Sequence, residues 1–268
     1  MRLKKGLGQH ILKDRDIIQE IIARSGFSAS DHLIEVGPGL GALTLPMAHS
    51  AHHIHAVEKD PYLAEMLSRQ LSREGIHNVS LIIRDILKVD FSEFLPSSGG
   101  KLGVIGNLPY NISSPFLEKL IENREHVSRA VLMFQREVAR RLIASPRTKE
   151  YGSLSVLIQY HAHISPLLEV SRHAFHPIPK VDSLVVEIDF EQPHPLRTPD
   201  EEYFRKIVRG AFSHRRKTLV NSLSASPVPL SAGDVLKAMQ ACSIDPRARA
   251  EALSIDDFLR LSHALSCE

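Results

Sequence analysis

Four consecutive residues, Asn107-Leu108-Pro109-Tyr110, carry groups suited to chemistry on a flat aromatic base. They follow a short apolar run, residues 101–106, that predicts a buried strand ending in a loop. The Asn107 side-chain oxygen and a backbone carbonyl, that of Leu108, can hold the two N–H groups of an exocyclic amine. Tyr110 can stack on the ring, a contact worth ~1–3 kcal/mol per base. Asn and Pro are also common in turns, so a simple exit from the strand is the alternative interpretation.

A glycine-rich turn further upstream predicts a nucleotide site. Gly37 and Gly39 follow a strand predicted over residues 32–36, and such glycines let the backbone approach a ligand closely. Glu58 ends the next predicted strand, where its carboxylate can accept both hydroxyls of a ribose. The spacing Gly37-x-Gly39-x-x-Ala42 also fits the dinucleotide fingerprint. These residues alone therefore leave S-adenosylmethionine and NAD both open.

Two further carboxylates favour S-adenosylmethionine. Glu35 lies two residues before the first glycine, where it can organise the loop near a methionine ammonium. Asp85 follows the strand predicted over residues 81–84 and can accept the amine of the cofactor adenine, with Ile86 packing on the ring. The alternative for Asp85 is a helix N-cap, since a carboxylate also satisfies the first backbone N–H groups of a helix.

The elements that must position these residues alternate between strand and helix. Asp14 predicts the start of a helix that closes near Gly26, and Pro61 predicts the start of another. Strands are predicted over residues 32–36, 54–58, 79–83, 102–105 and 130–134. This order predicts an α/β fold, a parallel sheet with helices on both faces and ligands beyond the carboxyl ends of the strands.

A Pro-rich segment, residues 191–199, predicts a linker between two domains. Three helical patterns follow it, over residues 207–223, 232–242 and 255–265. We therefore expect a larger domain, residues 1–192, that carries the site. A smaller all-helical domain, residues 193–268, follows it.

Composition excludes several classes of protein. The chain has 268 residues, a net charge of +2 and 43% hydrophobic residues, as in a soluble globular protein. No apolar run approaches the ~20 residues of a membrane span, and the basic N-terminus lacks a secretion signal. Cys242 and Cys267 are expected to be free thiols of a reducing compartment. The closely spaced His49, His52 and His53 match no structural zinc pattern, so no metal site is predicted.

Basic residues concentrate in two places. One group lies on one side of a helix predicted after the fifth strand, and the other lies between Tyr203 and Ser231, a stretch without Asp or Glu. Both could face RNA phosphates, with a solvated helix face as the alternative. The candidate RNA-binding residues are Arg136, Arg140, Arg141, Arg209, Arg215, Arg216 and Lys217.

Taken together, these segments resemble the ribosomal RNA adenine N6,N6-dimethyltransferases, relatives of the erythromycin-resistance methylases. The resemblance runs from about Lys4 to Leu223. The matching segments are Gly8–Leu12, Glu35–Leu43, Asn107–Tyr110, Gln135–Leu142, Tyr151–Ser155 and Phe175–Ser183.

The resemblance implies a Rossmann-like methyltransferase sheet that binds S-adenosylmethionine. It also implies that Phe175 joins the tetrad around the target adenine. The cofactor-binding residues that it implies are Gln9, His10, Leu12, Glu35, Gly37, Gly39, Glu58, Lys59, Asp85, Ile86 and Asn107. His10 and Ile11 depart from the Asn-Phe usual in the family. An imidazole titrates near neutral pH, so we expect cofactor affinity to depend on pH.

Residues 211–223 look like the C-terminal block of the small-subunit enzymes. This implies that two adjacent adenosines in the 3′-terminal stem-loop of small-subunit (16S) rRNA are dimethylated during assembly of the subunit. The partner is then small-subunit rRNA or a pre-assembled subunit, and the enzyme is expected to be a cytoplasmic monomer. The alternatives are a large-subunit (23S) rRNA methylase of the resistance type and a non-catalytic assembly factor. A nicotinamide-dependent oxidoreductase is a third.

Overall fold

The computed structural model describes residues 10–266 and, for Tyr110, only the backbone. The chain forms two compact units. The first comprises Met1–Ala139 and His163–Glu191, and the second comprises Arg140–Ala162 and Gln192–Glu268. Within residues 10–266, no helix is both long and apolar enough to cross a bilayer.

The first unit contains a seven-stranded sheet in the order β4-β3-β2-β5-β6-β9-β7. Strands β2 to β6 pair in parallel, while β9 pairs antiparallel with both β6 and β7. A separate two-stranded sheet joins β1 to β8. The strands are β1 (Ile11–Leu12), β2 (His32–Val36), β3 (His53–Glu58), β4 (Val79–Ile83), β5 (Leu102–Asn107), β6 (Val127–Gln135), β7 (His163–Val170), β8 (Phe175–His176) and β9 (Ser183–Asp189).

The helices begin and end where local signals require it. Asp14 accepts the backbone N–H groups of Asp16 and Ile17, and Gly26 ends α1 in a left-handed conformation, as predicted. Pro61 begins α3, also as predicted. The helices are α1 (Arg15–Ser25), α2 (Thr44–Met47), α3 (Pro61–Glu74), α4 (Ser113–Glu122), α5 (Arg136–Leu142), α6 (Ser153–His161), α7 (Glu201–Ala211), α8 (Leu219–Ser224), α9 (Ala232–Ala241) and α10 (Ile255–Ser266).

The sheet is parallel over β2 to β6, as expected, but β7 and β9 add an antiparallel edge that was not predicted. The sequence analysis assigned no strand to either segment. In β7 the signal is weakened by Pro166, which an edge strand tolerates, and by a bulge between Pro166 and Leu168. The strands predicted around residues 32–36, 54–58, 79–83, 102–105 and 130–134 are confirmed, with ends that differ by up to three residues.

The second unit is helical and has its own apolar core. Helix α6 buries six of its nine residues, and it packs on α7, where the rings of Tyr160 and Phe204 lie 4.7 Å apart. Residues 140–162 therefore belong to this unit, although the division expected at residue 192 placed them with the sheet. The helix predicted over residues 207–223 is two helices, α7 and α8, separated by the basic residues 214–217.

Candidate active site

A cavity opens at the carboxyl ends of the parallel strands, where the sequence analysis placed the ligand. Four chain segments that follow β2, β3, β4 and β5 converge on it, and the N-terminal segment closes one side. All the predicted cofactor residues within the described part of the chain line it: His10, Leu12, Glu35, Gly37, Gly39, Glu58, Lys59, Asp85, Ile86 and Asn107. Gln9 lies outside the described residues.

The glycine turn places backbone N–H groups at the cavity wall. Gly37 and Gly39 have φ angles of 65° and 59°, a left-handed conformation that other residues rarely adopt. The Gly39 N–H donates to Glu58 Oε2 at 3.1 Å, and the Asp60 N–H donates to Glu58 Oε1 at 2.8 Å. The Glu58 carboxylate is thereby fixed at the end of β3, at the position predicted for a ribose acceptor.

Gly106 brings two strand ends close together. A Cβ at this position would lie 2.8 Å from the Val36 carbonyl oxygen, nearer than real Cβ atoms approach backbone. Only glycine therefore allows β5 to pack this tightly against β2. The close packing places Asn107 and the glycine turn in one cavity.

Glu35 is the most unusual group in the cavity. Its side chain is 2% exposed, and no described residue hydrogen-bonds to its Oε2 atom. Burial, together with the charge of the nearby Glu58, raises the pKa of this carboxyl to about 7, against the lowering effect of Thr44. A buried acceptor without a partner is costly unless a ligand supplies the donor. The ammonium of a methionine moiety is such a donor, so the site fits S-adenosylmethionine at this point.

Asp85 performs the capping role that the sequence left open, and its position leaves the cofactor role possible. Its Oδ1 accepts the Leu87 N–H at 3.1 Å, capping a single turn of 3-10 helix over Ile86–Lys88. Its Oδ2 accepts the Lys59 ammonium at 2.9 Å, a contact that lowers the pKa of the carboxyl. The carboxylate stays ionised and lines the cavity beside Ile86, so it can accept an adenine amine there.

The Asn107 amide has a defined orientation. Its Nδ2 donates to the backbone carbonyl of His10 at 3.0 Å, which leaves Oδ1 as the acceptor end of the amide. Leu108 is buried, and its N–H donates to the Met133 carbonyl at 3.3 Å. Tyr110 begins a short 3-10 turn, and its stacking role stays a prediction.

Phe175 does not reach the cavity. Its ring is fully buried in the core of the first unit, where β8 pairs with β1 through the partners Leu12 and Phe175. The expectation that this ring flanks the target base therefore lacks support from its position. The aromatic residue of this motif instead packs beneath the N-terminal segment.

The cavity also includes residues that the sequence analysis did not single out. Most are apolar or lie one residue beyond a predicted element, so their types carried no chemical signal. Their positions did carry one, because they directly flank strand ends or the tetrad. They are Val36, Pro38, Leu40, Leu43, Val57, Leu63, Arg84, Asn111 and Ile112.

The candidate RNA-binding residues differ in their surroundings. Arg136 contacts Glu169 and Asp182, each at 3.6 Å, so its charge is balanced within the first unit. Arg215 donates to the carbonyl oxygens of Lys149 and Tyr151 in the second unit. The remaining members have exposed side chains, namely Arg140, Arg141, Arg209, Arg216 and Lys217. Across residues 10–266, no group of three or more His, Cys, Asp or Glu could hold a metal ion.

Comparisons with known proteins identify the family of the chain. The family model described as "Ribosomal RNA adenine dimethylase" matches residues 1–266. A "Ribosomal RNA small subunit methyltransferase A" from Desulforapulum autotrophicum is 45% identical, covering 98% of this chain and 92% of the relative. Its namesake from Geobacter metallireducens is 43% identical, covering 99% and 96%.

Among solved structures, a dimethyladenosine transferase from Plasmodium falciparum is 26% identical, with a TM-score of 0.78. The alignment covers 94% of this chain and 96% of that one. The 23S rRNA methyltransferase ErmE is also 26% identical, with a TM-score of 0.71 and coverage of 96% and 99%. The family match spans almost the entire sequence, so this chain belongs to the ribosomal RNA adenine dimethylase family.

Proposed function

We propose that this protein uses S-adenosylmethionine to dimethylate N6 of two adjacent adenosines in the 3′-terminal stem-loop of small-subunit rRNA. One observation carries the proposal: the unpaired oxygen of buried Glu35 and the oriented amide of Asn107 line the same cavity. The first group suits a cationic cofactor, and the second suits an exocyclic amine.

The choice of small-subunit rRNA rests on the relatives. Two proteins named small subunit methyltransferases are 45% and 43% identical to this chain. The 23S rRNA methyltransferase ErmE is 26% identical. Residues 211–223, which resemble the C-terminal block of the small-subunit enzymes, support the same choice. A ribosomal substrate would have the enzyme act in the cytoplasm, where subunits are assembled, and the monomeric state stays a prediction.

Three carboxylates would hold the cofactor along the strand ends. Glu58 is placed to accept ribose hydroxyls, Asp85 to accept the adenine amine, and Glu35 to accept the methionine ammonium. S-adenosylmethionine, when bound, supplies a methyl group that is already activated on a sulfonium sulfur. The task of the protein is therefore to position the target amine and to exclude water.

The tetrad would hold the target adenine, which must first leave its stack to enter a pocket. Asn107 Oδ1 would accept one N–H of the target amine, and the Leu108 carbonyl would accept the other. These two acceptors favour a more pyramidal nitrogen with its lone pair directed at the methyl donor. Asn107 is neutral and has no proton-accepting role at physiological pH, so it orients the amine.

The test is methyl transfer from labelled S-adenosylmethionine to unmethylated small-subunit particles, with large-subunit RNA as the competing substrate. We expect label as N6,N6-dimethyladenosine in small-subunit RNA alone. Label in large-subunit RNA would assign the protein to the resistance type. Binding to RNA without transfer to either substrate would favour a non-catalytic assembly factor, and NAD binding would favour an oxidoreductase.

A further inference from the structure

A short loop between β8 and β9, residues 177–182, presents apolar side chains to solvent. Ile178 is 55% exposed and Val181 is 43% exposed, while Pro179 between them is buried. Single exposed apolar side chains are common on protein surfaces and need no function. An exposed apolar side chain can act on a partner at a defined position only if the loop that carries it is held in place.

The loop is held at three points. The Pro177 carbonyl accepts a hydrogen bond from His10 Nδ1 at 2.8 Å, since a carbonyl can only accept. The Lys180 carbonyl accepts one from Arg172 Nη1 at 3.4 Å. The Asp182 carboxylate accepts the Arg172 N–H at 3.0 Å. Two prolines on either side of Ile178 restrict the backbone further. The exposed Ile178 side chain is therefore held by a fixed scaffold.

His10 connects this loop to the candidate active site. Its ring binds the Pro177 carbonyl, and its own carbonyl accepts the Asn107 amide at 3.0 Å. His10 also lines the cavity. Ile178 therefore follows directly in the chain a residue, Pro177, that is hydrogen-bonded to the cavity-lining His10.

The charge around the loop suits a polyanion. Residues 170–181 contain no Asp or Glu, whereas Arg172 and Lys180 are exposed basic side chains. The acidic residues on either side, Glu169 and Asp182, both contact Arg136. The loop therefore combines a rigid apolar tip with the exposed Lys180 and the neighbouring Arg172, while its one carboxylate, Asp182, contacts Arg136. Exposed apolar and basic side chains side by side complement bases joined by phosphates.

We propose that Ile178 is an apolar wedge that contacts the RNA bases next to the target adenosine and stabilises the state in which that adenosine is unstacked. The proposal rests on the proposed function, because it assumes an RNA substrate whose base must leave its stack. Apolar side chains inserted at base steps offset part of an unstacking cost of a few kcal/mol per step. The wedge would fill the space that the departing base leaves.

The test uses small-subunit particles whose RNA carries the fluorescent adenine analogue 2-aminopurine at one target position, without cofactor. Its fluorescence rises when the analogue unstacks. We expect the wild-type protein to raise the fluorescence and Ile178→Ala to reduce this rise several-fold. In separate methylation assays with S-adenosylmethionine, Ile178→Ala should show a roughly tenfold higher KM for unlabelled particles. Ile178→Leu, which keeps an apolar side chain, should restore most of both. Affinity for S-adenosylhomocysteine should be the same in all variants.

Ile83→Ala is the matched control, because Ile83 is the same residue type and is also 55% exposed. It should behave as wild type. If the wild-type protein methylates the particles but Ile178→Ala unstacks the analogue equally well, the wedge is wrong while the proposed function stands. If binding weakens but the fluorescence of bound particles does not change, Ile178 contacts the particle elsewhere. A wild-type protein that neither methylates nor unstacks would overturn both proposals.

Discussion

At the level of single residues, we expect Asn107 to act in turnover and the carboxylates to act in cofactor binding. The Asn107 amide is held by the His10 carbonyl at 3.0 Å, while Glu58 is held by two backbone N–H groups. Asn107→Ala should therefore lower turnover at least ~10²-fold, as for loss of a preorganised polar contact in other enzymes. The affinity for S-adenosylhomocysteine, measured by calorimetry, should change little. A large loss of affinity would show that Asn107 mainly binds cofactor.

Glu35 gives a prediction about pH. Burial raises the pKa of its carboxyl to about 7, so below this pH the group is protonated in the free protein. A cofactor ammonium favours the ionised form, and binding must then release a proton. Cofactor affinity should rise with pH between about 6 and 8, by at most tenfold per pH unit. In Glu35→Gln the affinity should be weaker and nearly independent of pH, as measured by calorimetry.

The sequence analysis expected His10 to cause the pH dependence, and the variant His10→Asn distinguishes this group from Glu35. The substitution removes the imidazole but keeps a side-chain donor for the Pro177 carbonyl, which His10 binds at 2.8 Å. A pH dependence that survives in Glu35→Gln and disappears in His10→Asn would assign the proton to His10. Loss in both variants would mean that the two groups titrate together.

Residue types predicted most of the site, and their failures have a physical reason. Asp85 and Glu58 could be placed because each directly follows a strand that ends at the ligand edge. Phe175 could not be placed, because an aromatic ring beside a loop serves equally as a stacking surface or as core. Its pairing partner Leu12 is 163 residues away in the chain, and no local pattern reveals that contact.

At the level of elements, a cluster of histidines lies at the end of the sheet opposite the cavity. The rings of His53 and His55 lie 4.6 Å apart, and His55 stacks on Phe94 at 4.7 Å. Burial, together with the charges of His53 and His32, lowers the pKa of His55 to about 4. The unfolded chain binds a proton at His55 more readily than the folded protein does. The stability that neutral His55 contributes should be fully present above pH ~6.5 and should be lost as the pH falls towards 4.

His55→Phe tests this directly, because the substitution keeps an aromatic ring against Phe94 and removes the titrating group. We expect the urea midpoint of the wild-type protein to fall between pH 7 and pH 5, and that of His55→Phe to fall less. His77→Phe, at an exposed position outside the cluster, should resemble wild type. If the urea midpoint falls equally in wild type and in His55→Phe, the acid-sensitive groups lie elsewhere.

Element boundaries show where local signals end. Strands β2 to β5 were predictable because each is a short apolar run bounded by turns or helix caps. Strands β7 and β9 were not predicted, and in β7 the signal is weakened by Pro166 and by the bulge between Pro166 and Leu168. The reversed edge they form also carries the loop of Ile178, so the least predictable strands support the proposed wedge.

At the level of the whole molecule, residues 140–162 lie between strands of the sheet in sequence yet pack with the C-terminal helices. Sequence order alone could not assign them, since the apolar face of α6 would suit either core. The second unit therefore combines two chain segments. Arg215, which donates to the carbonyls of Lys149 and Tyr151, links one segment to the other.

The basic residues between α7 and α8 are therefore of two kinds. Arg216 and Lys217 are exposed between α7 and α8, whereas the Arg215 guanidinium is bonded to backbone carbonyls. Replacing Arg216 and Lys217 with Ala should weaken RNA binding at every sequence and flatten the dependence of log Kd on log salt by roughly 1.4. Replacing Arg215 with Ala should mainly lower the melting temperature, because the contact between segments is lost.

The salt dependence decides between an RNA surface and a solvated face, because only residues that neutralise phosphates release counterions on binding. Replacing Arg247 and Arg249 with Ala removes the same charge from exposed positions of the same unit and serves as the control. Binding would be measured by fluorescence anisotropy with small-subunit RNA at several salt concentrations. If both double variants shift the slope equally, the effect is one of net charge. An unchanged slope for Arg216 and Lys217 would mean that these side chains face solvent in the complex.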